Sequence, residues 1–348
     1  ARRPTGERSG GCSRRRSRAM RVLFNTYPTA FDLPGGGEVQ ILKVREALER
    51  RGVEGLLHDT WRPAFDDADL VHYFSVTGGS MAFCSHVKER GLPLVISTSL
   101  WITPRGAREY PLDEIRGLLD VCDRAMVNSR AEAANLSGFF GADPTKFAVY
   151  HNGVDPVFGE PATADAFREW SGLEGPYVLN VANVEPRKNQ VRLARAARSL
   201  GMKLAVIGGV RDAEYLAKCA AEGGDCFRYL GRVDHGGELL RSAYAGCGVF
   251  ALPSLLETPG LAALEAAAGG AKIVVTSEGC AREYFGEMAD YADPLDEGAI
   301  TRALRSAMAR GEEAGLREHV LGSFTWDRSA GELVRTYSEV LEGAGRGG

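Results

Sequence analysis

Short runs of valine, isoleucine, leucine and aromatic residues recur along the chain, separated by longer stretches with apolar residues at helical spacing. In the first half the strand-like runs are Arg21–Asn25, Leu70–Phe74, Leu94–Ser97, Ala125–Asn128 and Phe147–Tyr150. In the second they are Tyr177–Val181, Lys203–Ile207, Phe227–Tyr229, Val249–Leu252 and Ile273–Val275. Strands separated by helices predict parallel sheets with right-handed crossovers. Glu38–Arg51 reads as an amphipathic helix with Val39, Leu42 and Leu48 toward a core. Residues 156–174 read as a linker with a short helix, and Trp326–Glu342 as a final amphipathic helix carrying Leu333, Val334, Tyr337, Val340 and Leu341. The predicted layout is an α/β chain of two doubly wound units, 20–155 and 156–323, followed by a terminal helix and tail at 324–348.

Bulk properties narrow the function classes. A chain of 348 residues has room for two ordinary cores, and 44% hydrophobic with 25% charged residues is globular composition. No apolar run is long enough to span a bilayer. Residues 1–19 hold seven arginines and one acid, about +6 of the −4 total, which leaves about −10 on the remainder. That arm has no apolar core of a secretory signal and is expected to be a disordered extension. The acidic body argues against nucleic-acid binding. Seven cysteines, odd in number and without a C-x-x-C pair, argue for free thiols rather than disulfides or structural zinc.

Candidate chemistry gathers where predicted strands end, which is where doubly wound folds bind ligands. After the run ending at Leu252 comes Pro253-Ser-Leu-Leu-Glu257-Thr-Pro-Gly260-Leu-Ala-Ala-Leu-Glu265. Glu257 falls in a strand-to-helix loop, Gly260 opens a helix, and Glu265 lies within it. The uncovered N–H groups at such a helix start suit a phosphate, and the two carboxylates suit sugar and ribose hydroxyls. Val181-Ala-Asn183-Val-Glu-Pro-Arg187-Lys188-Asn189 supplies a cationic pair at another strand–helix junction. Cations are unfavourable at a helix start, so an anion nearby is expected to offset the cost. Gly35-Gly36-Gly37 follows the first strand and lets a ligand approach backbone N–H groups, although a plain flexible loop would read the same. His72 and His151 read as structural histidines, and Asp66-Asp67-Ala-Asp69 as solvated charge rather than a metal site.

The Pro253–Gly270 segment resembles the Glu-x7-Glu signature of family 4 glycosyltransferases, retaining enzymes of the GT-B fold, and the resemblance runs over most of residues 20–340. It implies two Rossmann-like domains facing across a cleft, the first on the acceptor side, the second holding the donor, and a C-terminal helix crossing back. Glu257, Arg187 and Lys188 are then the expected catalytic groups. Gly36, Gly37, Asn183, Thr258, Gly260, Leu261, Glu265 and Glu283 join Arg187 and Lys188 as expected donor contacts. The implied co-substrate is a nucleotide-diphosphate sugar, GDP-mannose or a UDP-hexose, with a hydroxyl acceptor, no bound metal and no other cofactor. The implied setting is polysaccharide biosynthesis in the cytoplasm, with room for peripheral contact at the inner face of a membrane. Two departures stand out. Asn183 occupies the neighbourhood where the family has an arginine ahead of the lysine, and Ser99 stands nearest to where many members have a histidine. These keep two alternatives open: a nucleotide-sugar epimerase of the same fold, and a degenerate glycan-binding subunit.

Overall fold

The computed structural model describes residues 18–32, 34–104, 106–311 and 315–346. The arginine-rich arm expected at 1–19 lies almost wholly outside them. A first parallel sheet contains β1 (Arg21–Thr26), β2 (Glu54–Leu57), β3 (Leu70–Phe74), β4 (Leu94–Ser97), β5 (Arg124–Val127) and β6 (Phe147–Val149), in the order β2-β1-β3-β4-β5-β6. Its crossovers carry α1 (Gly36–Arg50), α2 (Ser80–Glu89), α3 (Leu112–Val121) and α4 (Arg130–Phe140). After α5 (Asp165–Ser171) a second parallel sheet contains β7 (Val178–Val181), β8 (Leu204–Ile207), β9 (Phe227–Tyr229), β10 (Val249–Leu252), β11 (Ile273–Thr276) and β12 (Asp290–Ala292). Its order is β12-β11-β10-β7-β8-β9. It is wrapped by α6 (Gln190–Ser199), α7 (Ala213–Gly223), α8 (Glu238–Gly246), α9 (Leu261–Ala268), α10 (Ala281–Phe285) and α11 (Glu297–Ala309). The chain finishes with α12 (Leu316–Ser323) and α13 (Trp326–Arg346).

Strand order fixes where ligands can sit. In the first sheet the winding direction reverses between β1 and β3, and in the second between β7 and β10. A crevice opens at such a reversal because the loops leaving the two adjacent strands diverge to opposite faces. The loop after β1 leads into Gly35–Gly37 at the start of α1, the loop after β7 carries Arg187 and Lys188, and the loop after β10 carries Glu257 and Gly260. All three motifs therefore belong to reversal points.

The helix that ends the chain crosses back onto the first sheet. Trp326, Ala330, Leu333, Tyr337 and Val340 of α13 share a core with Val22, Phe24, Ile41, Val44 and Leu48. Beside this apolar seam runs a buried polar line. Tyr337 OH lies 2.6 Å from His72 Nδ1, His72 Nε2 lies 2.8 Å from Ser97 Oγ, and Ser97 Oγ lies 2.8 Å from Tyr150 OH. Burial pushes the His72 imidazole down to about 3, so it is neutral and serves as a hydrogen-bond relay.

Two expectations need correction. Leu42 does not face the core of the first half. It is 40% exposed and Val39 is only partly covered, whereas Ile41, Val44, Ala47 and Leu48 are buried. The helix is rotated because its N-terminal turn buries Glu38 and Gln40 toward polar partners. Strands β2 and β12 were not anticipated, and both are edge strands of at most four residues.

Candidate active site

A cavity of about 700 Å³ lies between the C-terminal ends of the two sheets, within the range of small-molecule and cofactor sites. It brings together Gly36, Gly37, Asn183, Arg187, Lys188, Glu257, Thr258, Gly260, Leu261 and Glu265, all singled out from the sequence. The N-termini of α1 and α9 converge on it: a Cβ added at Gly36 would lie 3.9 Å from the Leu261 side chain. Two helix starts facing one space present uncovered N–H groups and the positive ends of two dipoles. Gly260 takes φ +89°, which favours glycine, and an added Cβ would sit 2.8 Å from Leu252.

Lys188 and Glu257 form the centre. Lys188 ends a 3-10 turn (Pro186–Lys188), and its Nζ donates to Glu257 Oε1 at 2.5 Å. Their side chains are 14% and 7% exposed. Burial holds the Lys188 ammonium below its usual range, with Arg187 adding repulsion and Glu257 opposing both. Burial alone would raise the Glu257 carboxyl, but the Lys188 and Arg187 charges bring it below the ordinary value. The centre is thus an ion pair short of solvent, with Arg187 on its rim. Arg187, half exposed, bonds Glu185 at 3.0 Å.

Gly279 holds the Glu257 loop in place. It pairs with Glu257 in an isolated parallel bridge and has φ +107°, and an added Cβ would come 2.0 Å from the Glu257 carbonyl oxygen. Gly279→Ala is expected to lose more than about 2 kcal/mol of stability through strain and backbone clash. The check is a fall in the urea midpoint at unchanged slope.

On the first-half side, buried Gln40 Nε2 lies 2.5–2.9 Å from Asn128 Oδ1, Tyr150 OH and Asn152 Oδ1 and shares its two N–H donors among them. Ser99 donates to Gln40 Oε1 at 3.2 Å and accepts from Asn128 Nδ2 at 2.9 Å. Ser99 has φ +44°, a strained setting for a non-glycine residue, and it lines the cavity. The amides of Asn128 and Asn152 both reach the Thr258 carbonyl at 3.4 Å, so the first half steadies the loop that opens α9.

Some expected residues are placed differently. Glu283 does not line the cavity. It accepts from the backbone N–H groups of Arg130 and Ala131 at the start of α4 and lies 2.8 Å from His151 Nε2, so it clasps the two halves together. His72 and His151 both have structural partners, as the sequence suggested. Asn183 lines the cavity, but its Oδ1 accepts from Gly209 N at 3.2 Å. Two cations not singled out in the sequence, Arg211 after β8 and Arg232 after β9, also line the cavity. The Arg232 guanidinium lies over Gly209, whose added Cβ would be 2.5 Å from Arg232 Nε. The available signal was a glycine-bearing segment with an arginine directly after each strand, Gly208-Gly-Val-Arg211 and Gly231-Arg232.

Residues 164–317 match the family described as Glycosyl transferases group 1. The D-inositol 3-phosphate glycosyltransferase of Salinispora arenicola is 30% identical over 322 residues, which cover 80% of this chain and 70% of that protein. The chain belongs to the group 1 glycosyl transferases. A relative of the same name from Geodermatophilus obscurus is 32% identical over 63% of this chain and 53% of its own length, so this member of the family spans between 53% and 70% of these two curated relatives. Sucrose-phosphate synthase from Thermosynechococcus elongatus superposes with a TM-score of 0.76 at 19% identity, covering 94% of this chain and 100% of the other. The Anabaena protein HepE in complex with UDP-glucose gives 0.73 at 16% identity over 92% of this chain and 100% of the other. These neighbours show that the group 1 member has the expected GT-B fold.

Proposed function

We propose that this protein is a retaining glycosyltransferase that moves a hexose from a nucleotide-diphosphate sugar to a hydroxyl acceptor. The observation that carries it is the single cavity wall on which Lys188, Arg187, Glu257, Glu265 and the start of α9 meet. The diphosphate lies on the N–H groups at Gly260–Leu261, with Lys188 and Arg187 neutralising the charge that grows on it as the sugar departs. Glu257 accepts from sugar hydroxyls and Glu265 from the ribose. The oxocarbenium-like carbon is attacked by the acceptor hydroxyl on the face the leaving group vacates, and the hydroxyl proton passes to the departing phosphate. No side chain acts as a covalent nucleophile. Fixed cations and helix N–H groups supply the charge stabilisation, so no metal is invoked.

Relatives support the donor class: HepE has been captured with UDP and with UDP-glucose. A UDP-hexose and GDP-mannose are the two donors to try first. The acceptor side of the cavity is formed by Tyr27, Phe74, Ser75, Thr77, Trp101 and Tyr110, a mix of aromatic faces and hydroxyls suited to a sugar or polyol ring. No helix of the described residues is long and apolar enough to cross a membrane.

A thermal-shift panel of UDP, GDP, ADP and dTDP with their sugar conjugates tests the reading. One nucleotude family member is expected to raise the melting temperature by several degrees, an effect lost in Glu265→Ala. The absence of any shift would sink the donor site. Binding without turnover in the presence of hydroxyl acceptors would favour the glycan-binding alternative, and an NMR signal of the donor's C2 epimer would favour the epimerase.

A further inference from the structure

Glu265, assigned above to the ribose, is already held on its protein side. Its Oε2 accepts from the buried Tyr244 hydroxyl of α8 at 2.8 Å. Its Oε1 lies 2.7 Å from His235 Nε2, so that nitrogen carries a proton in either charge state of the ring. His235 sits in the turn between β9 and α8, lines the cavity, and is 39% exposed on its side chain. Phe158 stands edge-on to both rings, at 5.3 Å from His235 and 5.9 Å from Tyr244, which limits how the two donors swing. A carboxylate has about four acceptor positions, so two donors leave room for ribose hydroxyls from the cavity side.

The charged and titratable groups around His235 come from α9, α8, α1, the connection between the halves and its own turn. Glu265 of α9 is in contact, and Tyr244 of α8 is bonded to the same carboxylate. Asp155 in the connection between the halves and Lys43 of α1 form a 3.0 Å pair whose opposite fields both reach the imidazole. Asp234 and Glu238 are exposed on its own turn and the helix that follows. The Glu265 hydrogen bond raises the imidazole above its ordinary range, burial opposes this, Asp155 adds to it and Lys43 subtracts.

We propose that His235 is a positioning residue of the donor site, orienting Glu265 for the ribose of a nucleoside-diphosphate sugar and, when protonated, adding a positive charge that tightens binding. The inference rests on the donor-site reading given above. It separates two effects. The Nε2–H bond to Glu265 persists in the neutral ring and orients the carboxylate at every pH. The charge is present only below the pKa of the imidazole, so donor affinity falls as pH rises through it. Nucleotide sugars suit the measurement because their doubly esterified diphosphate keeps its charge across neutrality.

The test is calorimetric titration of the full chain with UDP-glucose and with GDP-mannose from pH 5.5 to 8.5, on wild type, His235→Gln and His235→Ala. The bound conjugate is expected to weaken about three- to tenfold across that range in wild type, for the loss of one screened charge. His235→Gln keeps a donor without a titrating charge and is expected to lie near the wild-type value at pH 8.5, with no slope. His235→Ala is expected to bind about tenfold or more weakly at every pH, through loss of a hydrogen bond to a charged group. A flat wild-type profile, a slope retained in His235→Gln, or wild-type affinity in His235→Ala would each overturn this inference alone. No binding of either conjugate to wild type would remove the donor-site reading and this inference with it.

Discussion

Replacing Lys188 with alanine is expected to lower turnover about 10²–10³-fold, the usual loss when one preorganised charge-stabilising group is removed. The size follows from where the amine sits. It is nearly buried, 2.5 Å from Glu257, at the reversal point of the second sheet, so water is poorly placed to replace it. The substitution also strands the Glu257 carboxylate without its cation, and a buried charge that loses its partner is costly. Lys188→Arg retains the charge but asks a planar fork to fit a space shaped for an ammonium, and recovers only part of the rate. Initial rates at saturating donor are the measurement, with urea midpoints alongside to separate folding from chemistry. Turnover of Lys188→Ala within a few-fold of wild type would rule out the mechanism.

The second large effect is on stability. Burial would raise the Glu283 carboxyl, but the His151 hydrogen bond and two backbone N–H groups hold it down to about 2, against an ordinary 4.5. A carboxyl whose folded pKa lies below its unfolded one stabilises the protein fully above the unfolded value. That contribution is lost as pH falls from about 4.5 toward 2. After solvent screening of this partly exposed group, a depression of this size corresponds to on the order of 1–2 kcal/mol at neutral pH. Glu283→Gln is expected to lose most of it at pH 7 and to converge on wild type in acid, as read by urea midpoints at pH 7, 4 and 2.5. Because Glu283 lies off the cavity, the variant is expected to keep nucleotide binding, which distinguishes an interdomain clasp from a donor contact. An unchanged midpoint at pH 7 would refute the clasp.

What the sequence revealed and what it hid follow one rule. Central strands such as Leu94–Ser97 and Val249–Leu252 are covered on both faces, so each is a continuous apolar run that composition alone exposes. Edge strands β2 and β12 are half-covered and short, and Glu54-Gly-Leu-Leu57 carries no periodic signal to find. The carboxylate pair and Lys188 were legible because local spacing and loop position define them. His235 was not, since its role comes from contact with a residue 30 positions away, and its own setting, Asp234-His-Gly-Gly237, looks like any turn. Glu283 was assigned to the nucleotide by resemblance, but which way the first turn of α10 faces is decided by α4, 153 positions upstream. Leu42 failed for a similar reason: polar partners for Glu38 and Gln40 outweigh one leucine in setting the rotation of α1.

The return of α13 has a consequence for how the chain is made. Tyr337 completes the hydrogen bond of His72 across 265 positions, and Leu333 and Val340 close the apolar seam over α1. On the ribosome, the first sheet therefore waits with the seam beside α1 open while the whole second sheet is synthesised. Its early form exposes apolar surface and leaves His72 Nδ1 without its Tyr337 partner while Nε2 keeps Ser97, the kind of species that chaperones retain. Expressed by itself, the first half would stay in that waiting state, so fragments ending before Trp326 are poor vehicles for studying the acceptor side.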